Sequence, residues 1–183
     1  MKIFTIDINV DVGEGLNNES QSMPYMSSCN IACGGHAGDV VTMRRLVKLA
    51  KQYRIKIGAH PSFPDRENFG RKKINISTDA LFSSIREQIR TLMAVLKDEN
   101  ISLHHIKPHG ALYNMAAVDV STASVLIEVI KSFSSEIKLY APYNSVVANL
   151  ALKAKIPVVF EAFADRNYNK DLGLVSRNSE NAM

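Results

Sequence analysis

The sequence contains no run of about 18 apolar residues, so it predicts no transmembrane helix. Its opening, Met1-Lys2-Ile3-Phe4-Thr5-Ile6-Asp7, meets an acid too early for a signal peptide. A clustered basic face is also lacking. The 22 Lys and Arg outnumber the 18 acids by four, but they are scattered, and the one adjacent block is Arg71-Lys72-Lys73. Nucleic-acid binding calls for a stripe or patch, so that class is disfavoured. Cysteine is scarce: Cys29 and Cys33 lie on one short apolar segment. Four residues along a strand rise about 13 Å, too far for a disulfide. No second cysteine pair completes a zinc finger. The expectation is two buried thiols in a reducing cytoplasm. There is no Gly-x-x-x-x-Gly-Lys-Ser/Thr loop, no Gly-x-Gly-x-x-Gly after a strand and no Gly-x-Ser-x-Gly elbow. A nucleotide site and a hydroxyl nucleophile of that kind are therefore unsupported.

What remains is an ordinary globular composition, 46% hydrophobic and 22% charged over 183 residues. Residues 1–183 are expected to form one α/β domain with a sizeable core. Apolar periodicity alternates between short strand-like runs and longer helical ones. Strands are expected at Lys2–Val10, Ser28–Cys33, Lys56–His60, Leu103–Lys107, Ile137–Ala141 and Pro157–Phe163. Helices are expected at Asp39–Tyr53, Ser77–Glu99, Ser121–Phe133 and Tyr143–Lys155, the first capped by Asp39. This alternation predicts parallel strands with right-handed crossovers. A complete eight-stranded barrel usually needs about 250 residues, so six strands imply an open or incomplete one.

The polar residues gather at the carboxyl ends of these strands, where parallel α/β folds bind ligands. Asp7, Asn9 and Asp11 alternate along the first strand and share one face, with Glu14 just beyond. A solvated edge would give the same alternation; the intervening Ile and Val favour an inward polar face. Closely spaced carboxylates can supply a base or a cation site. The second strand delivers Asn30 and, past two glycines, His36; the third ends in His60. The fourth presents Lys107 and His109, followed by Tyr113 and Asn114, and the sixth gives Glu161, Asp165 and Arg166. A loop-held imidazole can act as acid, base or metal ligand. Lys107 can hold an anion or face solvent, and Arg71 is a candidate anion clamp. His104 and His105 carry no assignment. His105 and His109 stand four apart, but Pro108 and Gly110 exclude the helix of a His-Glu-x-x-His zinc site.

Six ordered segments carry a resemblance. They are Asp7-Ile8-Asn9-Val10-Asp11-Val12-Gly13-Glu14-Gly15, Ser28 through Asp39, Gly58 through Asp65, Phe69-Gly70-Arg71, Lys107 through Asn114, and Glu161 through Tyr168. Together they resemble the LamB/YcsF lactam-utilization family. The resemblance implies a β/α barrel of the glycoside hydrolase/deacetylase type, usually seven-stranded. It also implies ATP-dependent opening of 5-oxoproline to glutamate, alongside two further subunits that handle ATP and Mg²⁺. Asp11, His60 and His109 then become the acid/base group. Asp7, Asn9, Glu14, Asn30, His36, Lys107, Glu161 and Asp165 would orient the lactam, and Arg71 and Arg166 its carboxylate or phosphate; a metal is not assigned.

The family usually runs to about 250 residues, with a late His-Gly-Asp motif, so this chain reads as shortened at its carboxyl end. It also has Asn169-Lys170-Asp171-Leu172 where the family has a Gly-containing turn, and Ser176 where proline is usual. Two other readings stay open: a free-standing metal-dependent deacetylase or amidase acting on a carbohydrate or lactam, and a non-catalytic binding or assembly protein. Open strand edges favour self-association, so a homo-oligomer is expected.

Overall fold

The structure, a computed structural model, describes residues 5–16, 18–170, 172–175 and 179–181. Six parallel strands lie side by side in chain order: β1 (Asn9–Val12), β2 (Ser28–Ala32), β3 (Lys56–His60), β4 (His105–Ile106), β5 (Lys138–Pro142) and β6 (Val158–Glu161). They curl into an incomplete barrel with helices outside. Helices α1 (Glu19–Ser22), α2 (Val40–Gln52), α3 (Thr78–Asp98), α4 (Gly110–Val118), α5 (Val120–Lys131) and α6 (Val146–Lys153) fill the crossovers. Among the described residues, β1 and β6 each have a strand neighbour on one side only.

The helices form where spacing and capping agree. In α3, Leu81, Ile85, Ile89, Leu92 and Leu96 recur at helical intervals and are buried against the sheet and neighbouring helices. Each such burial contributes on the order of 1.5–3 kcal/mol over exposure. The Ser77 hydroxyl accepts from the Ala80 amide at 3.2 Å, and Asp39 accepts from the Thr42 amide at 2.7 Å to start α2. Such caps contribute about 1 kcal/mol each.

The outer face of the sheet is apolar: Val12, Ile31, Ala59, Ile106 and Leu139 stand in register and are buried in the helix-facing core. The inner face is polar. Register aligns Asp11 with Asn30, Asn30 with Gly58, and Gly58 with His105. Gly58 is required by close approach, since a Cβ there would overlap the His105 ring. Its bareness lets that imidazole lie across the sheet to reach Asn30.

Three expectations need correction. The first strand is Asn9–Val12 and not Lys2–Val10; residues 5–8 are outside any strand, and 1–4 lie outside the described residues. The ladder to β2 begins with Asn9 opposite Ser28, and Ile6 and Ile8 are left exposed. Two short elements, α1 and a 3-10 turn over Met23–Tyr25, stand where the sequence predicts no element. The third correction concerns Gly110–Val118, which forms α4 and carries Tyr113 and Asn114 where no helix is expected from the sequence. Asp171 and Ser176 fall outside the described residues. No single helix in the described chain is long and apolar enough to cross a membrane; α4 and α5 pass that test only jointly, across a bend of 110°.

Candidate active site

The polar interior is a continuous column of hydrogen bonds. At its base the Tyr140 hydroxyl donates to one Asp7 oxygen at 2.8 Å and Ser28 donates to the other at 2.7 Å. Asn9 Nδ2 donates to Ser28 Oγ at 2.7 Å, and Asn30 Nδ2 donates to both Asn9 and Asp11. His105 Nε2 donates to Asn30 Oδ1 at 2.6 Å, and its ring stacks on Tyr140 with centroids 4.0 Å apart. Burial holds His105 neutral, pushing its pKa well below the usual imidazole range.

Above this column stand the charges. The Lys107 ammonium, 4% exposed, lies 3.3 Å from Asp11 Oδ1 and 3.3 Å from Glu161 Oε2, and donates to Asn9 Oδ1 at 3.3 Å. It also lies 4.7 Å from the Phe163 ring centroid. Its positive charge is thus answered within the protein, which is not the exposed anion clamp that its position alone allows. Burial pushes the Asp11 carboxyl up, but His60, Lys107 and the Asn30 hydrogen bond outweigh it and hold Asp11 well below the carboxylate range. The carboxylates raise the Lys107 pKa over the opposing effect of burial. Burial and Glu161 push the Tyr113 phenol far up, so it remains a neutral hydroxyl.

Beside Asp11 sits a nest of imidazoles. His60 Nδ1 meets the Lys107 carbonyl at 2.7 Å and His109 Nε2 meets the Phe69 carbonyl at 2.9 Å. A carbonyl can only accept, so both nitrogens carry their protons. The remaining nitrogens, His60 Nε2 and His109 Nδ1, face each other at 3.0 Å. Glu14 Oε1 lies 2.9 Å from His36 Nε2, 3.3 Å from His109 Nδ1 and 3.6 Å from His60 Nε2, while Asp11 Oδ2 is 3.4 Å from His60 Nε2. His36 and His109 stack at 3.7 Å with rings 2° from parallel. Burial lowers His36 to about 4; for Glu14 burial acts upward, but the three imidazoles bring it down to about 2. Near neutrality this pair is a carboxylate beside a neutral ring. Among the described residues, Glu14, His36, His60 and His109 bring donor atoms close enough together to hold a metal ion.

The loop after β3 holds this nest in place. Gln88 on α3 accepts from the Ser62 amide at 3.0 Å and donates to its carbonyl at 2.9 Å. Asp65 accepts from Asn68, and the chain then turns through Phe69 at φ +55° and Gly70 at φ +62°. The Phe69 ring meets His36 and His109 edge-on at 5.2 and 5.3 Å, and the Arg71 guanidinium lies 4.9 Å from its centroid.

A cavity of about 540 Å³ opens over these groups, lined by Asp11, Glu14, His60, Lys107, His109 and Tyr113. Arg71, Phe163, Arg166, Leu174 and Val175 complete its mouth. Most of the site residues expected from the sequence therefore converge. Asp7, Asn9 and Asn30 form the column beneath the cavity, and His36 backs Glu14. Glu161 reaches the site through Lys107, and Arg166 lines the mouth while donating to the Val175 carbonyl. Asp165 does not join them: it is exposed and outside the cavity lining, because the chain has turned outward after β6. His105, Gln88 and Tyr140 are structural supports that the strand-end pattern misses.

A curled parallel sheet with helices outside, presenting acids and histidines at the carboxyl ends of its strands, defines an α/β half-barrel with its polar cluster at the end where such folds bind ligands. The chain belongs to the LamB/YcsF family, whose model matches residues 6–183. It is 42% identical over 178 residues to the A subunit of 5-oxoprolinase from Haemophilus influenzae strain PittEE, covering 97% of this chain and 73% of that one. The corresponding A subunit from Bacillus cereus strain AH820 is 43% identical over 185 residues, with 98% and 73% covered. The crystal structure of a lactam utilization protein from Thermus thermophilus superposes with a TM-score of 0.90 at 37% identity, over 95% of this chain and 72% of that one.

Proposed function

We propose that this chain is the substrate-handling subunit of an ATP-dependent 5-oxoprolinase, opening the lactam ring of 5-oxoproline to glutamate. The observation that carries the reading is the ionised Asp11 beside the His60–His109 pair at the floor of the cavity, in a chain 42% identical to the A subunit of a 5-oxoprolinase. A cavity of about 540 Å³ accommodates a five-membered ring with one carboxylate. Arg71 and Arg166 at its mouth suit that carboxylate or a phosphate.

An unactivated lactam carbonyl is a poor electrophile. Phosphorylation of its oxygen makes the carbon reactive, and ATP with Mg²⁺ is handled by two partner subunits, since this sequence has no phosphate-cradling loop. On this chain Asp11, kept anionic by His60 and Lys107, takes a proton from the attacking water. As the ring C–N bond breaks, Asp11, held in place 3.4 Å from His60 Nε2, returns that proton to the leaving nitrogen. The first water leaves a ring-opened acyl phosphate, and a second water releases its phosphate, so 5-oxoproline, ATP and two waters give glutamate, ADP and phosphate. In the same reading the chain works in the cytoplasm, where Cys29 and Cys33 persist as thiols.

The test is glutamate formation from 5-oxoproline in a mixture of the partner subunits, ATP and Mg²⁺, with this chain, without it, or with Asp11→Asn. Glutamate should require the chain and fall by at least about 100-fold in the variant, the scale of a positioned acid/base group. Equal rates without the chain, or with Asp11→Asn, would sink the proposal.

A further inference from the structure

We infer that Glu14, His36, His60 and His109 form a binding site for a divalent transition-metal ion of the zinc type. The inference stands on geometry and does not depend on the reaction proposed above. One ligand atom from each residue lies within 4.8 Å of all the others. The closest approaches are 2.9 Å (Glu14–His36), 3.0 Å (His60–His109), 3.3 Å (Glu14–His109) and 3.6 Å (Glu14–His60). A tetrahedral ion with ligands about 2.0–2.1 Å away places its ligand atoms about 3.3 Å apart. Those four separations bracket that value; the other two pairs, His36 with His60 and with His109, lie within 4.8 Å, and the stacked His36 ring must tilt to aim a lone pair at the ion.

The protons give the stronger argument. The Lys107 and Phe69 carbonyls fix N–H at His60 Nδ1 and His109 Nε2. In the neutral rings, His60 Nε2 and His109 Nδ1 then present lone pairs to each other at 3.0 Å, and the Glu14 carboxylate oxygen adds a third acceptor. Three acceptors converging on one point repel unless a cation lies among them. Imidazoles that donate their far N–H to a carbonyl are the outer-shell arrangement of metal-ligating histidines. His36 Nδ1 is buried with no hydrogen-bond partner among the described residues, so no far-side contact fixes a proton on Nε2.

The Phe69 carbonyl reaches His109 from a left-handed residue, which costs about 1–2 kcal/mol. Gly70 follows, also left-handed, where a Cβ would sit 3.0 Å from His36 Cβ and 3.2 Å from His109 Cδ2. This turn is thus pressed against two of the four residues, and its strain is spent on orienting one of them. Three imidazoles and one carboxylate suit zinc, cobalt or iron better than magnesium or calcium, which prefer all-oxygen shells. With an ion in place, His60 and His109 are ligands, and Asp11, 3.4 Å from His60 Nε2, is left as the neighbouring proton acceptor.

The experiment is a titration of the chelator-treated, dialysed chain with Zn²⁺ by calorimetry, with bound metal counted by elemental analysis. One equivalent should bind, and His36→Asn and His109→Asn should each weaken it by at least about 100-fold, beyond the 10–100-fold seen for outer-shell changes. His104→Gln, outside the cluster, should leave it unchanged. X-ray absorption of the zinc-loaded chain should show only nitrogen and oxygen neighbours near about 2.0–2.1 Å, and no sulfur near about 2.3 Å. This last measurement uses the unmutated chain, so it decides the matter even if a variant fails to fold. A folded chain that takes up no Zn²⁺, a sulfur neighbour, or unchanged affinity in His109→Asn would overturn the inference, whatever the activity toward 5-oxoproline.

Discussion

Gly58→Ala places a methyl group where the His105 ring now lies. The β3 backbone is fixed by ladders to β2 and β4, so the imidazole must move. Moving it breaks the 2.6 Å bond to Asn30, a buried acceptor with the Asn9 amide as its remaining donor at 3.3 Å. Losing such a bond inside a protein costs about 1–3 kcal/mol. Forcing an extra carbon into a packed interior costs about 1–3 kcal/mol more. The variant should therefore lose about 4 kcal/mol, which for a chain of this size lowers Tm by about 8–16 °C. Circular dichroism melts measure it directly. The double variant Gly58→Ala/His105→Ala removes the overlap, so its destabilisation should fall short of the sum of the single effects by at least about 1 kcal/mol. A Gly58→Ala chain melting within about 2 °C of the parent, or strictly additive single effects, would refute the role assigned to this glycine.

Acidification should act through the same imidazole. Its folded pKa lies well below 6.5, so the unfolded chain binds a proton that the folded chain refuses. Its contribution is present above about pH 6.5 and is lost as pH falls below that value. Urea unfolding between pH 7.5 and 5 should show a shallower decline for His105→Gln than for the parent; parallel curves would contradict the assignment. The two thiols should be inert. Burial pushes both Cys29 and Cys33 up to about 12. Iodoacetamide at pH 8 should leave the native chain unlabelled and modify both cysteines in urea, and equal labelling rates in the two states would disprove their burial.

How much is legible in the sequence varies with the local physics. Helix α3 is plain because a cap at Ser77 and five apolar positions in helical phase agree. Helix α4 is not, because Gly110-Ala111-Leu112-Tyr113 is apolar on nearly every side and opens on a glycine two residues after Pro108, which mimics a break. The first strand reads as starting too early because Ile6 and Ile8 keep the alternation going where the ladder to β2 has not yet begun; it starts at Asn9 opposite Ser28. At the site, the strand-end rule brings Asp11, Glu14, His60, Lys107, His109 and Glu161 together, as the structure does. It fails at Asp165, where sequence proximity to β6 says nothing about the outward turn that follows. His105 escapes because two adjacent histidines on an alternating strand give no sign of which one points inward. The available cue is Gly58: a bare position within a strand marks the approach of something large.

Lys107 has a mechanical consequence. Its ammonium spans the lumen from Asp11 on the first strand to Glu161 on the last, two strands that share no backbone hydrogen bonds in the six-stranded sheet. Tyr140 makes a parallel tie lower down, from β5 to Asp7. The curvature of the sheet is therefore set by struts across its interior as well as by the ladders along its wall. Any body that docked against β1 or β6 and changed that curvature would alter the spacing of the charge that keeps Asp11 ionised. The width of the barrel and the basicity of its floor are a single mechanical variable.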